Sequence, residues 1–120
     1  MAAALFCHVD PSREADRLRL RADHLAYIIA HRHLILAGGP TLSEQGTPQI
    51  MVLLLDVPSL AAADAFIQSE PYNANGVFSK VEAHAWARVL PETHAGALEE
   101  TLAHELTKPL HRDEAQTRPS

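Results

Sequence analysis

The chain has one cysteine, Cys7, among 120 residues. That excludes an internal disulfide and fits a reducing compartment. No apolar run approaches the ~20 residues that a membrane-spanning helix needs. The longest, Ile50 to Leu55, suits a buried strand. The N-terminus, Met-Ala-Ala-Ala-Leu-Phe-Cys-His, has neither the basic segment nor the apolar core of a secretory leader, and a lipoprotein reading of Cys7 fails for the same reason. These features set the expectation of a cytoplasmic protein with no membrane partner. Positive charge is also scarce: 10 Lys and Arg stand against 15 Asp and Glu, for a net charge of -5. With no basic cluster and no aromatic residues alternating with basic ones, nucleic acid is not an expected partner. There is no HExxH, no Cys pair and no internal repeat, and no cofactor is expected.

What is present reads as one α+β domain. The 47% hydrophobic and 21% charged fractions are those of a soluble globular chain able to bury a core. Ala3 to Val9 is a first strand, ended by Asp10-Pro11. Pro11 to His33 is expected to be one long helix, capped by Asp10, with Leu18, Ala22, Leu25 and Ile29 as its apolar stripe. Leu34 to Ala37 is a short second strand closed by Gly38-Gly39-Pro40, and Thr41 to Pro48 is a polar loop. Gln49 to Val57 is a third strand, apolar on both faces: Met51, Leu53, Leu55 and Val57 on one, Ile50, Val52 and Leu54 on the other. Pro58 to Ser69 is a second helix, with Leu60, Ala63, Phe66 and Ile67 facing inward. Lys80 to Leu90 is a fourth strand.

The order βαββαβ is the ferredoxin-like split βαβ sandwich: a four-stranded antiparallel sheet with two helices on one face and strands one and three in the middle. A third strand that is apolar on both sides then needs cover on its open face, and a second copy of the sheet supplies it in a homodimer. Residues 1–92 make this domain. A C-terminal amphipathic helix follows within 93–108, from about Ala95 to Thr107, on the spacing of Leu98, Leu102, Leu106 and Leu110. Residues 109–120, polar and proline-containing, are expected to be disordered.

Three groups of residues could carry chemistry. His24 lies beside the apolar stripe of the first helix, with Arg21 and Ile28 on its flank, where an imidazole suits proton transfer. The competing reading is an exposed or structural histidine. His24 and His31 are about 10 Å apart by helix rise, too far to share a metal ion, so no metal is expected. Glu82, His84, Trp86 and Arg88 share one face of the fourth strand. They could line a pocket for a small aromatic or anionic ligand, or anchor a dimer interface. Glu70, in Glu70-Pro71-Tyr72, reads as a carboxylate at a helix C-terminus. The dipole disfavours it there, so it calls for a cationic partner such as protonated His24. Cys7 reads as packing.

Arg21-Ala-Asp-His24-Leu, Leu36-Ala-Gly-Gly-Pro40, Ser59-Leu-Ala-Ala-Ala-Asp-Ala-Phe66 and Glu70-Pro-Tyr-Asn-Ala-Asn-Gly-Val-Phe78 together resemble the YCII-related (YciI-like) proteins of the dimeric α/β-barrel group. The likeness runs from residue 3 to about residue 90. It implies a ferredoxin-like fold and a catalytic pair made by the histidine at His24 and the acid at Glu70, the family pattern having Asp at that place. A dehydrochlorinase of a chlorinated hydroxyquinol belongs to the family, and muconolactone isomerase to the wider fold group. The resemblance therefore implies a lyase- or isomerase-like enzyme with His24 and Glu70 catalytic, and the reading of the residues adds Arg21, Tyr72, His84, Trp86 and Arg88 as candidate substrate contacts. The alternative is a non-catalytic dimeric ligand-binding or protein-interaction module.

Overall fold

The computed structural model describes residues 2–109. They fall into two compact units, residues 2–87 and 88–109. The first contains β1 (Ala2–Val9), α1 (Glu14–Arg19), α2 (Arg21–His31), β2 (Ile35–Leu42), β3 (Pro48–Asp56), α3 (Leu60–Gln68), α4 (Pro71–Ala74) and β4 (Phe78–Trp86). The strands form one antiparallel sheet in the order β2-β3-β1-β4, the ferredoxin-like arrangement.

Cross-strand register sorts the side chains into two faces, because residues directly opposite point the same way. Ala3, Leu5 and Cys7 stand level with Leu55, Leu53 and Met51 of β3 and with Ala85, Ala83 and Val81 of β4. This is the helix-covered face, and Leu5, Cys7 and Leu55 are fully buried there with Ala63, Phe66 and Ile67 of α3 in the same core. The other face carries Ala4, Phe6 and His8 beside Leu54, Val52 and Ile50, with His84, Glu82 and Lys80 across on β4. Phe6, Ile50, Val52 and Leu54 are half-buried.

Several boundaries differ from the sequence expectation. The first helix is two helices: Leu20, at φ -92° and ψ 0°, interrupts it, although Leu20 N still donates to Asp16 O and His24 N to Leu20 O. Its buried face is also different. Arg17, Leu20 and His24 are buried, whereas Leu18, Leu25 and Ile29 are 59%, 43% and 57% exposed. β2 runs on through Gly38-Gly39-Pro40 to Leu42. An edge strand accommodates proline because one row of its N–H groups has no ladder partner. α3 starts at Leu60 rather than Pro58, with Ser59 as its N-cap, the Oγ accepting from Ala62 N, and Leu60 at 40% exposed is not part of the inner stripe. β4 starts at Phe78 and ends at Trp86, so Arg88 is not on it.

The second unit contains α5 (Ala97–Leu106), entered through Gly96 in the left-handed region at φ 84°. Glu92 accepts from Leu98 N, and His94 Nε2 meets Glu100 Oε2 at 2.9 Å. Leu98, Leu102 and Leu106 are exposed. Leu110 and the expected disordered tail lie outside the described residues, save Pro109. No helix among the described residues is long and apolar enough to cross a membrane.

Candidate active site

Glu70 is held by the start of α4. It is the N-cap of that helical turn: its Oε2 accepts from Tyr72 N at 3.1 Å and Asn73 N at 3.2 Å, with Pro71 in the first turn. Its position is therefore the reverse of the sequence expectation. The carboxylate sits at the positive end of α4 rather than against the end of α3, and both the cap bonds and the dipole favour it. The loop that follows turns through Gly76 at φ 73°. Arg13 Nε and Nη2 donate to the Gly76 and Asn75 carbonyls, and a Cβ on Gly76 would stand 2.9 Å from Arg13 Nη2.

Glu70 Oε1 lies 2.6 Å from His24 Nδ1. Glu70 is 0% and His24 7% exposed, so solvent does not compete for this bond. An ionised carboxylate only accepts, so the three N–H groups around Glu70 match it and the imidazole hydrogen belongs on Nδ1. Nε2 is left without a hydrogen-bond partner among the described residues. The imidazole is flat against the Tyr72 ring, centroids 4.1 Å apart at 9°, and Tyr72 in turn meets Phe78 edge-on. α2 is latched in place by Tyr27 Oη, which donates to the Phe66 carbonyl at 2.6 Å.

His24 and Tyr72 form part of the wall of a cleft of about 300 Å³. Arg17 and Arg21 extend that wall along the helices. Leu25 and Ile28 of α2 face Ile35, Met51 and Leu53 of the sheet, and the backbone of Gly38-Gly39-Pro40 forms the edge-strand rim. Gly38 allows a close approach: a Cβ there would lie 2.7 Å from Leu53 Cδ2. Arg17 forks onto Glu14, Nε to Oε2 at 3.0 Å and Nη2 to Oε1 at 2.6 Å. This bond draws Glu14 below the usual carboxylate range and raises Arg17 further. Arg21 makes no hydrogen bond or ion pair to a described residue. Burial raises the Tyr72 phenol above its ordinary value, against the opposing pull of Arg17 and Arg21.

The cleft thus unites His24, Arg21 and Tyr72, with Glu70 behind His24. It does not include His84, Trp86 or Arg88. His84 and Trp86 align with Ala4 and Ala2 on the sheet face away from the helices, and Arg88, beyond β4, donates to the Glu92 carbonyl. On that same face Glu82 is engaged by His8, Nε2 to Oε1 at 2.7 Å, and this bond lowers its pKa. Among the described residues no group of three or more His, Cys, Asp or Glu could hold a metal ion. Arg17 and the Gly38-Gly39-Pro40 rim were missed as site residues. A helical wheel centred on His24 finds Arg17: Arg17, Leu20, His24, Ile28 and His31 recur at 3, 4, 4 and 3.

Fold and site together define a ferredoxin-like α+β domain with a buried His–carboxylate pair on the wall of a small cleft. The chain belongs to the YCII-related domain family, whose model matches residues 1–86. Among solved structures it is similar to 5-chloro-2-hydroxyhydroquinone dehydrochlorinase (TftG) from Burkholderia phenoliruptrix AC1100, in complex with 2,5-dihydroxybenzoquinone. The TM-score is 0.67 at 22% identity, over 73% of this chain and 95% of that one. It is also matched by Rv0793 from Mycobacterium tuberculosis, with TM-score 0.42 and 19% identity, over 74% of this chain and 96% of that one. No curated protein matches the chain.

Proposed function

We propose that this domain is a small-molecule enzyme of lyase or isomerase type, with His24 as the general acid/base and Glu70 as the carboxylate that positions it. One observation carries the reading: the His24 Nδ1–Glu70 Oε1 bond of 2.6 Å, buried behind a cleft wall, with Nε2 unengaged. Glu70 holds the Nδ1–H tautomer, so the Nε2 lone pair is the base. It takes a proton from carbon. In an isomerisation the C–H electron pair forms a new double bond and the imidazolium returns the proton to another atom. In an elimination a leaving group departs with its bonding pair, and the proton passes to solvent. Dehydrochlorination, the reaction in the name of the Burkholderia protein, is an elimination of this kind. Arg21 and Tyr72 are the substrate contacts.

The test is a screen of chlorinated hydroxyquinols and lactones with wild type, His24→Asn and Glu70→Gln. The expected result is turnover that falls about 10²–10⁴-fold in His24→Asn, the range for loss of a general acid/base. Turnover undiminished in His24→Asn contradicts the proposal.

The second reading is a dimeric ligand-binding or interaction module, which draws on the half-buried apolar set Phe6, Ile50, Val52 and Leu54 on the sheet face away from the helices. That set supports pairing with a second copy under either reading. Light scattering at micromolar concentration should then give twice the chain mass, and a monomer would remove the dimer from the account. A cytoplasmic location belongs to the same proposal, supported by the buried, unpaired thiol of Cys7.

A further inference from the structure

The Tyr72 hydroxyl is an anomaly. The residue is 3% exposed, and among the described residues its Oη makes no well-formed hydrogen bond and its O–H meets no acceptor. Buried hydroxyls are nearly always paired, so an orphan on a cleft wall marks the place of a missing partner. The ring cannot swing away, because His24 covers its face and Phe78 meets it edge-on. Two guanidinium groups act on the phenol: Arg17 by charge and as a weak donor toward its oxygen, which leaves the O–H itself without an acceptor, and Arg21 by charge alone. Their roles differ. The charge of Arg17 is matched by Glu14 through the two-bond fork, whereas Arg21, also on the cleft wall, has no carboxylate partner among the described residues. This end of the cleft therefore offers a fixed hydroxyl and one uncompensated positive charge. Apart from His24, the remaining wall is apolar, with Leu25, Ile28, Met51 and Leu53 on it.

We propose that Tyr72 Oη and Arg21 form a carboxylate-binding locus, so that the ligand of this cleft is a small organic acid with an apolar body. The inference rests on the reading of the cleft as a ligand site and adds the chemical class of the ligand. A carboxylate accepts only. One oxygen takes the Tyr72 O–H and the other the Arg21 guanidinium, which satisfies both groups at once. An amine would leave Arg21 repelling it. A neutral amide of the same shape would carry no charge to offset Arg21. The volume of about 300 Å³ is at the lower end of ligand pockets, about 300–1,000 Å³, and limits the acid to a small one.

The experiment is isothermal titration of the full chain with phenylacetate and with its neutral isostere phenylacetamide, repeated on Tyr72→Phe and Arg21→Gln. Phenylacetate should bind wild type at least about tenfold more tightly than phenylacetamide, the worth of one charge-assisted hydrogen bond. Tyr72→Phe and Arg21→Gln should each erase most of that preference. Equal binding of the two probes to wild type, no binding of phenylacetate, or full preference in Tyr72→Phe overturns the locus. The wild-type comparison stands even if a variant fails to fold. The two proposals also fail separately. Selective phenylacetate binding without any His24-dependent reaction refutes the catalytic reading alone. A His24-dependent reaction on a protein indifferent to phenylacetate refutes the locus alone.

Discussion

Removing the Glu70 carboxylate in two steps should produce two distinct losses of stability. Glu70 is fully buried and accepts from three N–H groups: His24 Nδ1 at 2.6 Å, Tyr72 N at 3.1 Å and Asn73 N at 3.2 Å. Glu70→Gln keeps the shape. Its amide oxygen can still cap α4, and its NH₂ then faces His24, which must change tautomer and accept through Nδ1. What is lost is the charge assistance on these bonds, about 1–1.5 kcal/mol each, partly offset by no longer burying an anion, for a net of about 1–2 kcal/mol. Glu70→Ala leaves three donors facing a void. Orphaned buried polar groups cost about 1–3 kcal/mol apiece, and with the cavity and some relaxation the total is about 3–5 kcal/mol. Against a stability of about 5–15 kcal/mol for such domains, the alanine variant should lose a large share of the total. Urea denaturation followed by far-ultraviolet circular dichroism gives both values. Equal losses for Gln and Ala, or no loss for Ala, would refute the claim that Glu70 serves His24 and the α4 cap together.

Two further outcomes follow from single residues. Burial first, and the charge of Glu70 second, push the Cys7 thiol from 9.0 to about 12. The folded chain therefore holds this proton more tightly than the unfolded one. The linked stability is intact below pH 9 and is lost as pH rises from 9 toward about 12. At neutral pH Cys7 should resist iodoacetamide until the chain is denatured, and rapid labelling of the native protein would contradict its burial. Ser59→Ala removes the 3.1 Å cap bond to Ala62 N and should cost about 1 kcal/mol, lowering Tm by about 4–8 °C in a domain of this size. An unchanged melting temperature would show that the cap contributes nothing.

The strand order and the two-faced β3 were legible because period-two patterns survive wherever strands are central. Met51, Leu53 and Leu55 against Ile50, Val52 and Leu54 required burial on both sides, and the register bears out that alternation. The inward face of α1 and α2 was misread for a physical reason. Hydrophobic periodicity assumes that apolar residues face inward, but these two helices turn inward the side chains that build the cleft. Arg17 and His24 are buried through their partners Glu14 and Glu70, while Leu18 and Ile29 stay outside. Glu70 was misplaced because α4 is only four residues long and has no periodicity to announce it; Pro71 in the first turn was its one local sign. His84, Trp86 and Arg88 were grouped by alternation along a strand thought to run to Leu90. Alternation cannot say which face meets a cleft on the far side of the sheet, and the strand ends at Trp86.

The central claim is that Glu70 fixes the protonation of His24 so that Nε2 is the free base. The most direct measurement is the imidazole ¹⁵N spectrum of His24 in the uniformly labelled wild-type protein, in mildly alkaline solution. The account predicts a single slow tautomer with hydrogen on Nδ1 and an unprotonated Nε2. A hydrogen on Nε2, or shifts averaged over both tautomers as in a free imidazole, would contradict it.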